Sequence, residues 1–214
     1  MQLYLVRHGE TDYNASGRYQ GHMQIELNRT GHYQASLVCR RLAKYNDIHA
    51  IYSSDLVRCI QTITPLATTL QQPVHMTPDL REIDVGLWEH LTIPEISATF
   101  PTNYAAYLQA PGETVHVGGE SYRQMQTRAM RGINEIIAQH QPGEHLVVAT
   151  HGGTIRAIMC AIIGLDINQY NKMWVMNCSI TTLTVTQGVI RLASFNDVAH
   201  IELAPEVDRE QFAV

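Results

Sequence analysis

Two histidines, two arginines and one glutamate follow apolar stretches at which buried strands would end. Arg7 and His8 come directly after the first apolar stretch of the chain, and His151 comes directly after the stretch HLVVAT. Arg58 and Glu82 follow two further apolar stretches. Arginines bind tetrahedral oxyanions through charge-assisted hydrogen bonds, whereas imidazole and carboxylate groups attack electrophiles and transfer protons. This set of residue types predicts phosphoryl transfer without a metal ion, because the protein's own cations neutralise the phosphate charge.

The elements that must position these residues alternate between strand patterns and helix patterns. The predicted strands are LYLVR, AIYSS, VHMTP, HLVVAT and the two arms of the hairpin ITTLTVTQGVIRLASF. The predicted helices cover about residues 30–45, 55–70, 120–140 and 152–163. This alternation predicts an α/β fold, a three-layer sandwich in which a mixed, mainly parallel sheet carries helices on both faces. The hairpin, turning near Gln187–Gly188, is expected to add an antiparallel edge. Asp55 is expected to cap the second helix, which Pro65 would kink or divide.

The candidate residues should converge because sites in open α/β sheets form beyond the carboxyl ends of the strands. Gly152 follows His151 and opens a helix, so free backbone N–H groups and the positive end of the helix dipole would face the same place. Taken singly, each residue has an ordinary structural explanation, such as an ion pair between Glu82 and Arg81. Their expected convergence at one edge of the sheet is what favours a catalytic site.

The composition is that of an ordinary globular protein, and the chain is predicted to form one domain over residues 1–214. Residues 84–119 are irregular and predicted to form a lid-like insertion, and residues 204–214 a mobile tail. The net charge of −5 argues against nucleic acid or an anionic membrane as the partner. The four cysteines form no CxxC pair, and the N-terminal stretch does not resemble a signal peptide, so the expected location is the cytoplasm.

Motifs along nearly the whole chain match the histidine phosphatase superfamily, which includes the cofactor-dependent phosphoglycerate mutases. The most specific is LVRHGETDYN, in which Arg-His-Gly-Glu-Thr follows a strand. The other matching segments are GRYQG, LNRTGHYQA, IYSSDLVRCIQT, LREIDVGLWE, GGES, VVATHGG and NCSIT. The resemblance implies an α/β sandwich around a mixed, mainly parallel sheet, in agreement with the pattern of elements.

The resemblance also implies a role for each candidate residue. His8 resembles the nucleophile that forms a phosphohistidine, and Glu82 resembles the general acid for the leaving group. Arg7, Arg58 and His151 resemble the phosphate pocket. The further substrate contacts implied are Asn14, Gln20, Gly21 and Gly152. A second ring nitrogen of His8 that donates to a backbone carbonyl would fix the tautomer needed for attack.

The segment from Glu82 to Tyr122 favours a phosphatase over a mutase. Where the mutases have a tyrosine three residues after the acid, this chain has Val85, and the mutases' basic insertion is missing. The segment contains no Lys or Arg. It contains six acidic residues, which are Glu82, Asp84, Glu89, Glu95, Glu113 and Glu120. A wall of that charge is expected to favour an uncharged leaving group. The aromatic residues of the segment either contribute to that wall or pack it onto the domain.

Three alternatives stay open at this point. A phosphoglycerate mutase is the first, and an inert module that binds a phosphorylated ligand is the second, although inert relatives usually lack the histidine or the acid. A metal hydrolase is the third, against which the chain offers no HExxH pattern and no paired Cys/His spacing. The expected partner is a small-molecule phosphate monoester, with no metal or other cofactor. A homodimer is expected from the family resemblance alone.

Overall fold

The structure is a computed structural model that describes residues 1–45 and 47–204, so the predicted tail lies, after its first residue, outside the described part. Its strands are β1 (Gln2–Arg7), β2 (Ile48–Ser53), β3 (Val74–Met76), β4 (His145–Thr150), β5 (Ile180–Thr186) and β6 (Val189–Asp197). They form one sheet in the order β3-β2-β4-β1-β5-β6. The pairs β3–β2, β2–β4 and β4–β1 are parallel, whereas β5 and β6 add the antiparallel edge. The predicted mixed, mainly parallel sheet is therefore confirmed.

The helices lie mostly where their apolar periodicity predicts them. They are α1 (Asp12–Ala15), α2 (Arg29–Leu42), α3 (Val57–Leu70), α4 (Ile93–Thr99), α5 (Pro101–Gln109), α6 (Tyr122–Ala138), α7 (Gly152–Ile163) and α8 (Ala199–Glu202). Short 3-10 turns cover Pro78–Leu80, Gly86–Trp88 and Ile167–Lys172.

One prediction about α3 is wrong, because Leu56 rather than Asp55 is its N-cap residue. Pro65 does not divide the helix, and a kink at Pro65 stays a prediction. Asp55 instead accepts hydrogen bonds from Arg81, whose Nε lies 2.6 Å from its Oδ1. A two-point ion pair with a guanidinium is stronger than a single hydrogen bond to a backbone N–H, which explains why the carboxylate leaves the helix end uncapped.

The sheet separates two apolar cores, and alternate residues of β1 face them. Leu3 and Leu5 pack in the core that α6 and α7 cover, whereas Tyr4 and Val6 pack in the core under α2 and α3. Helices on both faces thus bury both sides of the central strands, as the continuous apolar character of LYLVR requires.

The strand register sets the positions of the candidate residues. Arg7 at the end of β1 pairs with Thr150 at the end of β4, and Ser53 at the end of β2 pairs with Ala149. His8 and His151 are the next residues of neighbouring parallel strands, so their rings meet at the centre of the sheet edge, with centroids 5.2 Å apart.

The segment 84–119 contains its own short elements and shares a third apolar cluster with residues of α6 and α7, such as Met125 and Ala157. Trp88 is fully buried at the centre of this cluster, against Tyr104, Tyr107 and His116. The aromatic residues therefore pack the segment onto the rest of the fold, and its action as a lid stays a prediction. Among the described residues, no helix combines the length and apolar composition needed to cross a membrane.

Candidate active site

A cleft with a volume of about 260 Å³ opens at the carboxyl ends of the central strands. Seven of the nine residues singled out from the sequence line it, which are Arg7, His8, Asn14, Gln20, Gly21, Arg58 and Glu82. Gly152 lines an adjoining recess together with Arg7 and Glu82, and His151 lies behind His8, fully buried. The topology thus brings together all nine residues.

His8 is buried, and one hydrogen bond fixes its tautomer. Its Nδ1 lies 2.7 Å from the carbonyl oxygen of Gly9, which can only accept, so Nδ1 carries the proton and Nε2 keeps its lone pair. Burial, followed by the positive charges of Arg58 and Arg7, holds the pKa of His8 well below its ordinary value. The ring is therefore a neutral base at physiological pH, with Nε2 free to act as a nucleophile.

Arg58 is the most constrained cation of the site. Its Nη1 and Nη2 donate to the carbonyl oxygens of Met23 and Gly21, at 2.8 Å each, and its Nε donates to Nδ1 of His151 at 3.2 Å. A guanidinium has five N–H donors, so two remain for an oxyanion in the cleft. Three anchors on a fully buried side chain hold those two donors in a fixed position.

His151 uses both of its ring nitrogens within the protein. Nδ1 accepts from Arg58, and Nε2 lies 2.8 Å from Oγ of Ser54. Burial and the charge of Arg58 hold the pKa of His151 well below its ordinary value. In this arrangement His151 orients Arg58 and packs against His8, and a direct contact between His151 and phosphate stays a prediction.

Arg7 and Gly152 approach each other so closely that residue 152 has little room for a side chain. Arg7 donates from Nη1 to the carbonyl oxygen of Val175 at 2.6 Å, and its buried Nε has no hydrogen-bond partner in the described part of the chain. A Cβ on Gly152 would lie 3.1 Å from that Nε. Burial lowers the pKa of Arg7 to about 10, which leaves it charged at neutral pH.

Glu82 rests against the first turn of α7. Its Oε2 accepts from the backbone N–H of Gly153 at 3.0 Å, and its Oε1 accepts from the N–H of Ile83 at 3.0 Å. A Cβ on Gly153 would lie 2.3 Å from Oε1. The helix start therefore holds the carboxylate at the cleft, where it can exchange a proton with a leaving group.

The loop after β1 adds amide groups. Oδ1 of Asn14 accepts from Thr11 and, at 3.2 Å, from Nδ2 of Asn177, so the amide nitrogen of Asn14 is the end left for a substrate. Asn177 also donates to the carbonyl oxygen of His8 at 3.0 Å. Asn177 therefore ties the nucleophile to Asn14. Sequence reasoning did not assign Asn177 a role, although the NCSIT motif contains it.

Gln20 and Gly21 complete the loop. The side chain of Gln20 is buried at the cleft, and its Oε1 has no partner among the described residues. Gly21 has a φ of 50°, a conformation that favours glycine, and it turns its carbonyl oxygen toward Arg58.

The acidic wall expected from the sequence does not face the cleft. Of the six acidic residues between Glu82 and Tyr122, Glu82 alone is among the described residues that line it. Three of the others form ion pairs with arginines outside that segment, in the pairs Arg18–Glu95, Arg123–Glu113 and Arg128–Glu120. Glu89 accepts from the backbone N–H of His22, and Asp84 accepts from that of Gly86. The three ion pairs offset half of the six negative charges of the segment, and the five acidic residues other than Glu82 do not line the cleft, which reduces the repulsion of an acidic leaving group.

Sequence reasoning missed Arg156, which lines both the cleft and the adjoining recess. Its guanidinium lies over the ring of Tyr170, with 5.0 Å between Cζ and the ring centroid, and Tyr170 stacks on Tyr122. Burial acts to lower the pKa of Arg156, but the surrounding Tyr122 and Glu82 outweigh it and the pKa is raised. The spacing could have found it, because Arg156 lies four residues after Gly152 and therefore on the same face of α7.

Comparison with known proteins agrees with this geometry. The family model of the histidine phosphatase superfamily (branch 1) matches residues 3–198. A metal-independent phosphoserine phosphatase of Arabidopsis thaliana is 35% identical over 202 residues, which cover 94% of this chain and 83% of that protein. A glucosyl-3-phosphoglycerate phosphatase of Mycolicibacterium vanbaalenii is 32% identical over 187 residues, covering 81% of this chain and 82% of that protein. Other relatives are named as phosphoglycerate mutases or mutase-like proteins.

The fold has a close counterpart among solved structures. Bacillus stearothermophilus YhfR superposes with a TM-score of 0.88 at 30% identity, over 94% of this chain and 98% of that one. The fold is therefore shared along almost the whole length of both proteins.

Proposed function

This chain belongs to the histidine phosphatase superfamily and is a hydrolase of small-molecule phosphate monoesters, and we propose that it acts through a phosphohistidine on His8 without a metal ion. The observation that carries this proposal is the tautomer of His8. The bond from Nδ1–H to the carbonyl of Gly9 leaves the Nε2 lone pair in a cleft that Arg7, Arg58 and Glu82 also line.

In the first step, Nε2 of His8 attacks phosphorus and the bond between phosphorus and the ester oxygen breaks. Arg7 and Arg58 bind the phosphoryl oxygens, and the backbone N–H groups at the start of α7 add positive potential. The protonated carboxyl of Glu82 gives its proton to the leaving oxygen, so the product leaves as a neutral alcohol. The covalent product is a phosphorylated His8.

In the second step, Glu82 has become a carboxylate and accepts a proton from a water molecule. That water attacks phosphorus, the bond between phosphorus and Nε2 breaks, and inorganic phosphate leaves. Glu82 ends the cycle protonated and His8 ends it neutral, so the site is restored. The positive charges of Arg7 and Arg58 perform the charge neutralisation that metal ions perform in other phosphoryl-transfer enzymes.

The test is to trap the intermediate. Wild-type enzyme is mixed with excess p-nitrophenyl phosphate in the presence of EDTA and quenched in base, in which phosphohistidine is stable. Mass spectrometry of peptides should place one phosphoryl group on His8. His8→Ala should carry no label and lose at least about 10³-fold in kcat/KM, because both covalent catalysis and its positioning are removed.

Asn14→Ala is the matched variant from the same loop. It weakens one contact to phosphate but keeps the nucleophile, so it should still become labelled on His8. Turnover by His8→Ala at the wild-type rate, or turnover that EDTA abolishes and Mg²⁺ or Zn²⁺ restores, would replace the covalent mechanism with direct attack by water.

A phosphoglycerate mutase is the second candidate, since some relatives carry that name. A mutase must protect its phosphohistidine from water and rebind a phosphorylated product. The segment over the cleft offers Val85 where the mutases have a tyrosine, and no lysine or arginine between Glu82 and Tyr122. These features support hydrolysis as the fate of the intermediate.

The relatives described above are named for phosphoserine and for glucosyl-3-phosphoglycerate, and we propose a small organic phosphate of this kind for the present chain. We place the reaction in the cytoplasm. The four cysteines support this location, because all of them are free thiols, three of them buried. The expected homodimer stays a prediction.

A further inference from the structure

We propose that Arg156 binds a carboxylate on the leaving group, so that the preferred substrates are phosphate monoesters that carry a carboxylate close to the ester oxygen. This inference rests on the proposed function, because it assigns the leaving-group side of the same cleft. It reverses the preference for uncharged leaving groups that the acidic residues of the sequence predicted.

The position of Arg156 relative to Glu82 supports the proposal. Glu82 gives its proton to the leaving oxygen, so the atoms next to it belong to the leaving group. Arg156 and Glu82 line the same two adjoining spaces, the cleft and its recess. Their charges lie close enough to influence each other, but they form no ion pair within 4.0 Å among the described residues. Arg156 therefore faces the leaving group, and its guanidinium is not paired with the carboxyl group of Glu82.

The guanidinium of Arg156 is held ready for an anion. Its Nε donates to the carbonyl oxygen of Gly152 at 3.2 Å, and its flat face lies over Tyr170. Nη1 and Nη2 have no acceptor within the described part of the chain. Two parallel donors on a fixed, planar group match the two oxygens of a carboxylate.

The arginines of the site differ in their surroundings from the other arginines that lack a carboxylate partner among the described residues. Those others, Arg29 and Arg191, are exposed to solvent. Six of the remaining arginines each pair with a carboxylate, and they are Arg18, Arg41, Arg81, Arg123, Arg128 and Arg131. Arg7, Arg58 and Arg156 have no such pair within the residues described, and all three line the cleft. Arg58 is buried and the other two are half-buried, and a cation withdrawn from water without a carboxylate partner costs free energy, so their shared location indicates an anionic ligand.

A count of charges indicates one further negative charge beyond the phosphate. The three arginines carry +3, the phosphate dianion carries −2, and Glu82 is neutral when it serves as general acid. A carboxylate supplies the missing −1. A second phosphate dianion would bring more negative charge than the three arginines balance. The remaining arginine of the cleft, Arg18, cannot offset that excess, because it is already bonded to Glu95 and to the carbonyl oxygen of His90. A monoanion on Arg156 is therefore the better match.

The experiment compares substrates that differ only in the carboxylate. The pairs are phosphoserine with phosphoethanolamine and 3-phosphoglycerate with glycerol 3-phosphate. The wild type should show kcat/KM at least about tenfold higher for the acidic member of each pair. Arg156→Gln should lower kcat/KM about 30-fold or more for the acidic members, mainly through KM, and less than about threefold for the others.

Two further variants separate charge, geometry and folding. Arg156→Lys keeps the positive charge but loses the two parallel N–H donors of the guanidinium. Its preference for the acidic substrates should therefore lie between those of the wild type and Arg156→Gln. It also provides the test if Arg156→Gln does not fold. Lys172→Gln is the matched control, because Lys172 lies in the same 3-10 turn as Tyr170 but is exposed outside the cleft. It should leave every ratio unchanged.

Three outcomes would overturn the inference while leaving the phosphatase intact. They are a wild type without preference within the pairs, an equal loss for both members on substitution of Arg156, or a loss that Lys172→Gln reproduces. An equal loss would mean that Arg156 acts on the phosphoryl group or on Glu82. If the wild type hydrolysed none of the four esters and did not hydrolyse p-nitrophenyl phosphate, the proposed function itself would be refuted.

Discussion

At the scale of single residues, the site separates a neutral nucleophile from the charges around it. His8 lies between two arginines, and its burial and their charge both disfavour protonation. The same arginines that we propose to bind the phosphate therefore keep the Nε2 lone pair available. Glu82 is treated differently, because two backbone N–H groups hold its oxygens at the edge of the cleft. The surroundings of His8 keep its ring neutral for attack on phosphorus, whereas those of Glu82 hold its carboxyl group where it can exchange a proton.

The assignment of Glu82 predicts a dependence on the leaving group. Glu82→Gln cannot donate a proton, so transfer from alkyl phosphates such as phosphoethanolamine should slow by about 10²-fold or more. Transfer from p-nitrophenyl phosphate should slow much less, because p-nitrophenolate leaves without protonation. Single-turnover measurement of phosphorylated His8 isolates the first step. This separation is needed because the loss of the Glu82 carboxylate would also slow the later attack by water.

Asp84→Asn provides the comparison for Glu82→Gln. Asp84 lies two residues further along and bonds the backbone N–H of Gly86, away from the cleft lining. It should leave the ratio of alkyl to aryl rates near the wild-type value. If Glu82→Gln slows both classes of ester equally in the first step, the general acid must be another group.

At the scale of elements, the first turn of α7 performs several tasks at once. Gly152 lies against Arg7, the N–H of Gly153 holds Glu82, and Arg156 reaches the leaving-group side. The proposed phosphate binding, general acid and carboxylate contact thus all depend on one helix. Its start is fixed by β4, which pairs in parallel with β1, the strand that carries His8.

The close approach at Gly153 predicts a positioning effect. A methyl group in Gly153→Ala would meet Oε1 of Glu82 at 2.3 Å, so the flexible carboxylate must move while the backbone can stay in place. The variant should fold normally and lose at least about tenfold on alkyl phosphates, with a smaller loss on p-nitrophenyl phosphate. It should therefore resemble Glu82→Gln in its dependence on the leaving group.

Ile163→Ala, at the far end of the same helix, tests whether the effect is local. Ile163 is half exposed and lies outside the cleft, so its truncation should change neither class of rate. A uniform loss in Gly153→Ala, or a large fall in its unfolding temperature, would show a structural effect rather than displacement of the acid.

The elements also show which features a single sequence reveals. The strands and the long helices follow from local apolar patterns, and the rule for strand ends was enough to bring His8, Glu82 and His151 together. Contacts between distant segments were not accessible in this way. The pairing of Glu95 with Arg18 and of Glu113 with Arg123 depends on how loops fold back, and the sequence alone suggested an acidic wall. Arg156 was missed although its spacing of four residues from Gly152 places it on the same face of α7, because that spacing was not applied beyond the first turn of the helix.

At the scale of the whole molecule, the mixed sheet makes catalysis and stability depend on the same buried groups. His8 and His151 follow the two central strands and are 2% and 0% exposed, between two cores of apolar residues. Burying a neutral histidine in such a position costs little free energy of folding. A protonated histidine would cost more, because it would place a further positive charge beside Arg58 and Arg7. The unfolded chain carries no such penalty and binds the protons at an ordinary pKa of about 6.5. The fold therefore becomes less stable in acid because its active site excludes protons.

The lowered pKa of His8 predicts that acid destabilises the folded protein. Because the folded pKa of His8 lies below the unfolded one, the unfolded state binds more protons as the pH falls below about 6.5, and stability is lost progressively from there downward. Each such group contributes up to about 1.4 kcal/mol per pH unit well below pH 6.5, which integrates to at most about 1.6 kcal/mol between pH 6.5 and pH 5. His8→Asn should therefore lose up to about 1.6 kcal/mol less than the wild type over this interval in urea unfolding. Asn14→Ala, which removes a neighbouring group that does not titrate, should keep the wild-type dependence. Equal pH dependence in the wild type and His8→Asn would mean that His8 titrates alike in both states, and the neutral nucleophile would then need another explanation.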